Sequence, residues 1–528
     1  MQFYKTSESE LTKSMNSFVN RSGKSSRLGV PAGRGGVAGS WLWKTSLILG
    51  VVLLAACGEN NKIEVASQPY QDLSIQVVVP KGWQFKDSWD FRLEEWSART
   101  GAKVELVESD FADLDQPLLP TEKPPQLILF PWTRRGELLG DKRLQPFPEA
   151  SLDESQLYWS DVLQGLREKQ CTAEGGPYLL PLTAPVLVCY YRADLLDKAG
   201  LKPPESWTDY QKLLDQLENW APGLTAAEPW SPEFRATMFL ARAVSYVKSP
   251  GQLSVFFDVE SGNPYIFSKG FVKALEVTQA AVKKLPREVF GYDPITCRNL
   301  VVSGKAALAI GLENGPEHLP LIMGAASPAV QSKPAVAQRG DKIAVGICQL
   351  PGANQVFNST FDTWESYENS AYHVTYTGFA GMCAAVPRST TAEQSAAALN
   401  LLSSLVHEAG SQFPQGTRSP VRESEMTNAG AWAGQELSAE EASNYVAAVA
   451  RSLRDRQQVS ELPVVGHAEF RAVLTAGLTQ ALEKDRPAAE TLDSVALQWK
   501  EVLKKLGQDR VLKSYRRALG LSERQKYE

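Results

Sequence analysis

The sequence predicts an α/β chain of two lobes joined by several crossings, with a helical C-terminal region. Three observations carry this reading. The chain opens strand, helix, strand, the order that builds a parallel sheet with right-handed crossovers. Strands return around residues 343 to 386 after a helical middle, and beyond Ser395 the pattern is almost wholly helical.

Each element follows from local chemistry. Ile75-Gln76-Val77-Val78-Val79-Pro80 is a β-branched run of strand length closed by proline. Trp89, Leu93 and Trp96 then recur at helical spacing, and the segment stops at Gly101, a residue type that favours the position after a helix end. Val104 to Val107 and Leu127 to Phe130 supply the second and third strands. In the middle, Asp194 to Ala199, Asp209 to Leu217, Phe271 to Lys284 and Cys297 to Ser303 carry amphipathic spacing. Ile343 to Cys348 and Met382 to Val386, ending at Pro387, read as strands; Glu441 to Arg456 and Thr491 to Leu506 read as helices. No repeat of fixed period is present.

Near the N-terminus, Leu54-Ala55-Ala56-Cys57 closes an apolar run that follows Lys44 and resembles a bacterial lipoprotein signal. The apolar stretch from Thr45 to Ala56 is twelve residues, short of the roughly 20 that cross a bilayer, so it reads as an export signal. The resemblance implies cleavage before Cys57 and acylation of its sulfur, with residues 1–56 as the signal and 57–71 as a linker. The Ser-, Gly- and Arg-rich segment before the apolar core is long, which leaves Met15 as a second candidate start.

Removing the seven Lys/Arg and two Asp/Glu of residues 1–56 leaves 48 basic and 58 acidic residues, a net charge of −10. That balance argues against nucleic acid and anionic lipid as partners. The remaining 472 residues suffice for two lobes. Besides Cys57 there are Cys171, Cys189, Cys297, Cys348 and Cys383, none in a C-x-x-C spacing. Most have apolar neighbours, so buried inert thiols are favoured over a disulfide such as Cys348 with Cys383. There is no G-x-S-x-G, H-E-x-x-H, phosphate-cradling loop or G-x-G-x-x-G. His318, His373, His407 and His467 lack metal-ligand spacing, and Asp362, Glu365 and Glu368 read as a solvated loop face. The expectation from these searches is no enzyme chemistry, no cofactor and no metal.

Five stretches resemble, in order, segments of the family 1 extracellular solute-binding proteins. The most specific runs from Gly176-Pro177-Tyr178-Leu179-Leu180-Pro181-Leu182 through Val186 to Leu196 and on to Pro203-Pro204-Glu205-Ser206-Trp207-Thr208-Asp209. Physics agrees: Pro203-Pro204 forces an extended approach, Ser206 or Thr208 can cap the next helix, and Trp207 can staple it. Arg192 departs from the asparagine usual there. The others are Phe257-Asp258 through Phe271 to Glu276; Ser303 to Ile310, similar to a family hairpin; Val345-Gly346-Ile347 through Pro351-Gly352; and Thr377 to Gly381 through Pro387.

This resemblance implies the type II periplasmic-binding-protein fold: two α/β lobes with a hinge and an interlobe ligand cleft. The first lobe is expected at 72–183 plus 377–420, the second at 184–376 plus 421–520, and a frayed tail at 521–528. It further implies a monomer that captures one small, sugar-like molecule and hands it to an ABC transporter permease beside a lipid-held membrane attachment. A sensor or adhesion lipoprotein with no transporter is the alternative.

Cleft residues on such lobes come from loops at the carboxyl ends of strands. That points to Lys81 and Trp83 after the first strand; to Pro131, Trp132, Thr133 and Arg135 after the third; and to Thr183 at the first crossing. Glu313 and Asn314 follow the Gly304 hairpin, and Tyr376, Thr377 and Phe379 lie at the return. Asn314 stands where sugar-binding relatives often carry a stacking aromatic. Trp230, between Pro229 and Pro232, is a further platform candidate; Arg135 and Lys81 suit a carboxylate or a hydroxyl-rich solute.

Overall fold

The β-branched run after Leu73 forms β1 (Ser74–Pro80), buried from Ile75 onward. In the computed structural model, the described residues are 68–81, 86–109, 124–153, 156–313, 343–367, 370–407, 419–432 and 436–521. Cys57, Trp83 and Asn314 lie outside them. The described residues belong to one compact unit that begins at Glu64.

α1 (Lys86–Thr100) buries Trp89, Leu93 and Trp96 and ends at Gly101, whose φ of +80° suits glycine. β2 (Lys103–Ser109) and β3 (Leu127–Pro131) then flank β1, both parallel to it. α2 (Arg135–Gly140), α3 (Gln164–Lys169) and the small pair β4 (Thr172–Ala173) and β5 (Gly176–Pro177) lead to β6 (Leu180–Thr183).

The chain next enters a second sheet through β7 (Val188–Arg192), α4 (Ala193–Ala199), α5 (Trp207–Asp215), α6 (Leu217–Trp220) and β8 (Thr225–Ala227). Of the two candidate caps, Ser206 starts α5. Its hydroxyl accepts the Asp209 amide, and the Asp209 carboxylate accepts the Ser206 amide. Replacing Ser206 by alanine should cost about 1 kcal/mol, read as a lower urea midpoint; an unchanged midpoint would deny the cap its role. α7 (Arg235–Val247), α8 (Lys269–Val282), α9 (Pro294–Val302), β9 (Ala306–Gly311) and β10 (Val345–Gln349) complete this lobe, and β11 (Gln355–Asn358) pairs with β12 (Thr363–Ser366) beside it.

β13 (Thr375–Thr377) carries the chain back to β14 (Met382–Ala385), which inserts between β3 and β6 antiparallel to both. The remainder is α10 (Ala392–His407), α11 (Ala439–Arg454), β15 (Gln458–Ser460), α12 (His467–Glu483), α13 (Ala488–Leu506) and α14 (Gln508–Ala518). Strand order is β2-β1-β3-β14-β6 in the first sheet and β10-β7-β9-β8 in the second. The carboxyl ends of β1, β2, β3 and β6 therefore share one edge, as do those of β8, β9 and β10. The link from Thr183 to Val188 joins these two edges.

Two expectations need correction, and one disfavoured alternative falls away. β15 interrupts a region read as helical; three residues carry too little periodicity to announce a strand, and its order comes from parallel pairing with β13. Gly304 turns α9 into β9 and is not in a hairpin; its φ is +74°. Cys348 and Cys383 lie on different sheets, so their pairing is not available. Cys348 instead faces Cys189 across β10 and β7, and the five described cysteines are free. Burial pushes the thiols of Cys189, Cys297 and Cys383 well up.

Candidate functional site

The strand-end residues are placed first by packing. Trp132 leaves Pro131 at the end of β3 and donates its indole N–H to the Thr183 carbonyl at 2.8 Å, while the Thr183 hydroxyl accepts the Met382 amide at 3.0 Å. Thr133 is buried beside them. Tyr376 and Phe379 stack at 5.9 Å with nearly parallel rings, both buried, and the Thr377 carbonyl accepts the Glu461 amide at 2.7 Å. Lys81 is exposed. Glu313 is bound by Arg298 at 3.0 Å and by the Tyr190 hydroxyl at 2.9 Å. The expected platform Trp230 is wholly enclosed, its N–H on Glu228 at 3.0 Å. In this conformation it presents no face to a solute.

Glu461, just past β15, is nearly fully buried against His467 and Arg471, each at 3.0 Å. Burial alone would raise its carboxyl, but Arg471 and His467 outweigh that and hold it at about 2. A depressed carboxylate stabilises the fold above its ordinary value of 4.5 and loses that contribution as pH falls from there toward 2. Urea midpoints should therefore drop steeply between those values, and Glu461→Gln should flatten the drop; an identical pH profile in the variant would contradict this.

Open volume lies at the seam between the lobes. A cavity of about 490 Å³ is lined by Arg135, Gln170 and Thr172 on the side of the first sheet, and by Lys248, Gln252 and Phe256 on the other, with Gln458 and Ser460 of β15 between. That volume suits a small ligand. Cys171 and Ala173 tie the first wall into the core around β3 and β14, whereas Val255, Phe256 and Tyr515 belong to the core of the second lobe.

The wall is polar and only partly satisfied. Gln170, Gln252 and Gln458 are buried, and each keeps a side-chain carbonyl oxygen without a hydrogen-bond partner. Buried amides of this kind ordinarily find one. Arg135 is spent on backbone carbonyls: Gln170 at 2.7 Å, Thr172 at 3.4 Å and Ala518 at 3.0 Å. Burial lowers its guanidinium to about 10. Lys248 donates to the Ser249 carbonyl at 3.0 Å and, more weakly, to the Gln457 side chain at 3.4 Å; burial and the nearby Lys169 lower its ammonium to about 8.

Of the residues expected from strand ends, only Arg135 lines this cavity. Among the other described ones, Trp132 meets Thr183 at the first crossing and Tyr376 meets Phe379 at the return. Lys248, Gln252, Gln170 and Gln458 were not anticipated, because they follow helices or sit on the short β15; the Pro250-Gly251 turn marks a loop but not a site. Among the described residues, no group of three or more His, Cys, Asp or Glu could hold a metal ion.

Two α/β sheets joined at facing edges, with a polar cavity on their seam, define the type II periplasmic-binding fold. Solved structures agree. The sugar-binding protein MalE of Xanthomonas citri is 13% identical with TM-score 0.61, covering 83% of this chain and 98% of that one. Maltose-bound MalE3 of T. maritima is 16% identical with TM-score 0.53, covering 82% and 100%. A ribitol-bound ABC transporter solute-binding protein from Agrobacterium radiobacter K84 is 18% identical with TM-score 0.54, again covering 82% and 100%. The chain belongs to the bacterial extracellular solute-binding protein family, whose profile matches residues 92–419.

Proposed function

We propose that this protein is a lipid-anchored receptor that captures a small, polyhydroxylated solute at the interlobe seam and delivers it to an ABC importer. The observation that carries the reading is the cavity, with buried amides left short of partners and walls drawn from both lobes. Hydroxyls of a sugar or polyol are the complement of such a wall. The solutes named for the similar structures, maltose and ribitol, belong to the same chemical class. Contacts from both lobes exist together only when the lobes are shut, so solute shifts the hinge toward closure. The proposed lobes are 72–183 with 377–420 and 184–376 with 421–520, and attachment is through Cys57.

Two experiments test this. A thermal-shift screen of the purified full-length chain against sugars, polyols, sugar acids and sugar phosphates should find a binder that, at 100 times its dissociation constant, adds about 2.7 kcal/mol; silence across the whole panel would defeat the receptor reading. In cells, Cys57→Ser should move the protein from the membrane fraction to the soluble fraction. Continued membrane association of that variant would refute the anchor.

A further inference from the structure

We propose that the captured solute carries an anionic group, a carboxylate or phosphate, held by Lys248 and Lys169 at the seam cavity. This rests on the seam being the solute site. Five charged side chains line the cavity: Arg135, Lys169, Lys248 and Arg456 against Glu168 alone. Their commitments differ. Arg135 is consumed by three backbone carbonyls, and Arg456 pairs with Glu168 at 3.2 Å. Among the described residues, Lys169 and Lys248 make no ion pair, and they lie near enough for the charge of Lys169 to disfavour protonation of Lys248. Two like charges at the wall of one partly buried cavity repel each other, and an anion between them relieves that cost. A neutral sugar would leave the half-buried Lys248 ammonium without a counter-charge, while Lys169 on the same wall is exposed to solvent. The buried glutamines beside them remain suited to hydroxyls, so the combination describes an acidic sugar or a phosphorylated polyol better than an uncharged one.

The pH behaviour follows from the same groups. The charged groups that share the cavity wall with Lys248 are Lys169 and Glu168 at the end of α3, Arg456 before β15, and Arg135 on α2. With Lys248 held near 8, it is the group that loses its charge between pH 7 and 9. Affinity for an acidic solute should fall across that interval.

Calorimetric titration of the purified full-length chain tests the inference, using glucuronate, galacturonate and glucose 6-phosphate beside glucose, galactose and mannitol. The expected result is that at least one acidic compound binds about tenfold or more tightly than its uncharged counterpart. Lys248→Met should remove that preference and Lys248→Arg should retain it, with the unfolding midpoint of each variant showing that the fold persists. Carboxylate and phosphate compounds separate the two anion types. Equal affinity for charged and uncharged sugars, unmoved by Lys248→Met, would overturn the anionic group while leaving the receptor reading intact. Failure of every compound in both sets would overturn the receptor reading and this inference together.

Discussion

Replacing Arg242 by leucine is expected to destabilise the protein by about 3–5 kcal/mol, the cost of stranding a buried charge. Arg242 and Glu228 are both fully enclosed and paired at 2.8 Å. The guanidinium lies 4.4 Å from the Trp207 ring centroid and 5.9 Å from those of Tyr210 and Trp230. Two of its nitrogens, Nε and Nη1, have no hydrogen-bond partner. Aromatic faces therefore supply much of what solvates the cation. Without it, the Glu228 carboxylate keeps only neutral side-chain groups beside it, the Trp230 N–H at 3.0 Å and the Tyr210 hydroxyl. The double variant Arg242→Leu/Glu228→Leu should recover much of the loss, because removing both charges removes the desolvation penalty with the attraction. Urea unfolding of the single and double variants measures this. A single variant within 1 kcal/mol of the parent would mean that the pair contributes little to holding Trp230 in place.

Gly136→Val is expected to weaken solute binding on the order of 100-fold, about 2.7 kcal/mol, with the secondary structure retained. A Cβ at position 136 would lie 2.3 Å from the carbonyl carbon of Pro463 and the amide nitrogen of Val464. Both are backbone atoms and cannot turn aside as a side-chain tip would. Gly136 is on α2, which follows β3 of the first sheet, while Pro463 and Val464 lead into α12, which packs on α7. A valine there forces α2 away from Pro463, and Arg135 and Pro463 both line the cavity. α14 strengthens this contact: Arg517 donates to the Leu139 and Gly140 carbonyls at 3.1 and 3.2 Å and pairs with Glu174, and Arg510 pairs with Asp141. Circular dichroism shows whether the helices persist, and calorimetry with an identified solute reads the loss. Undiminished affinity would show that closing at Gly136 is not coupled to binding.

The strands of the first sheet were legible because β-branched runs such as Ile75 to Val79 declare themselves locally, and α5 was legible because amphipathic spacing follows Pro203-Pro204 and two candidate caps, Ser206 and Thr208. β15 was not, since its three residues become a strand only by meeting β13, more than 80 positions earlier in the chain. The site was legible in part. Of the residues taken from strand ends, Arg135 lines the cavity, whereas Trp132, Thr183, Tyr376 and Phe379 are occupied in fastening the crossings. Trp230 looked open between two prolines, yet the buried Glu228 draws it inward. Gln170, Lys248 and Gln458 converge only through the crossings between lobes, and no local pattern announces that. Which lysines lack a carboxylate is likewise a property of the assembled seam.

The central claim is that solute sits at the seam, and hydrogen–deuterium exchange with an identified solute tests it directly. With the full-length chain saturated, amides at 168–175, 248–257 and 456–460 should exchange more slowly than in the free protein. Protection confined to the loops after β8 and β9, at 228–231 and 312–313, with the seam unchanged, would place the solute elsewhere and contradict this account.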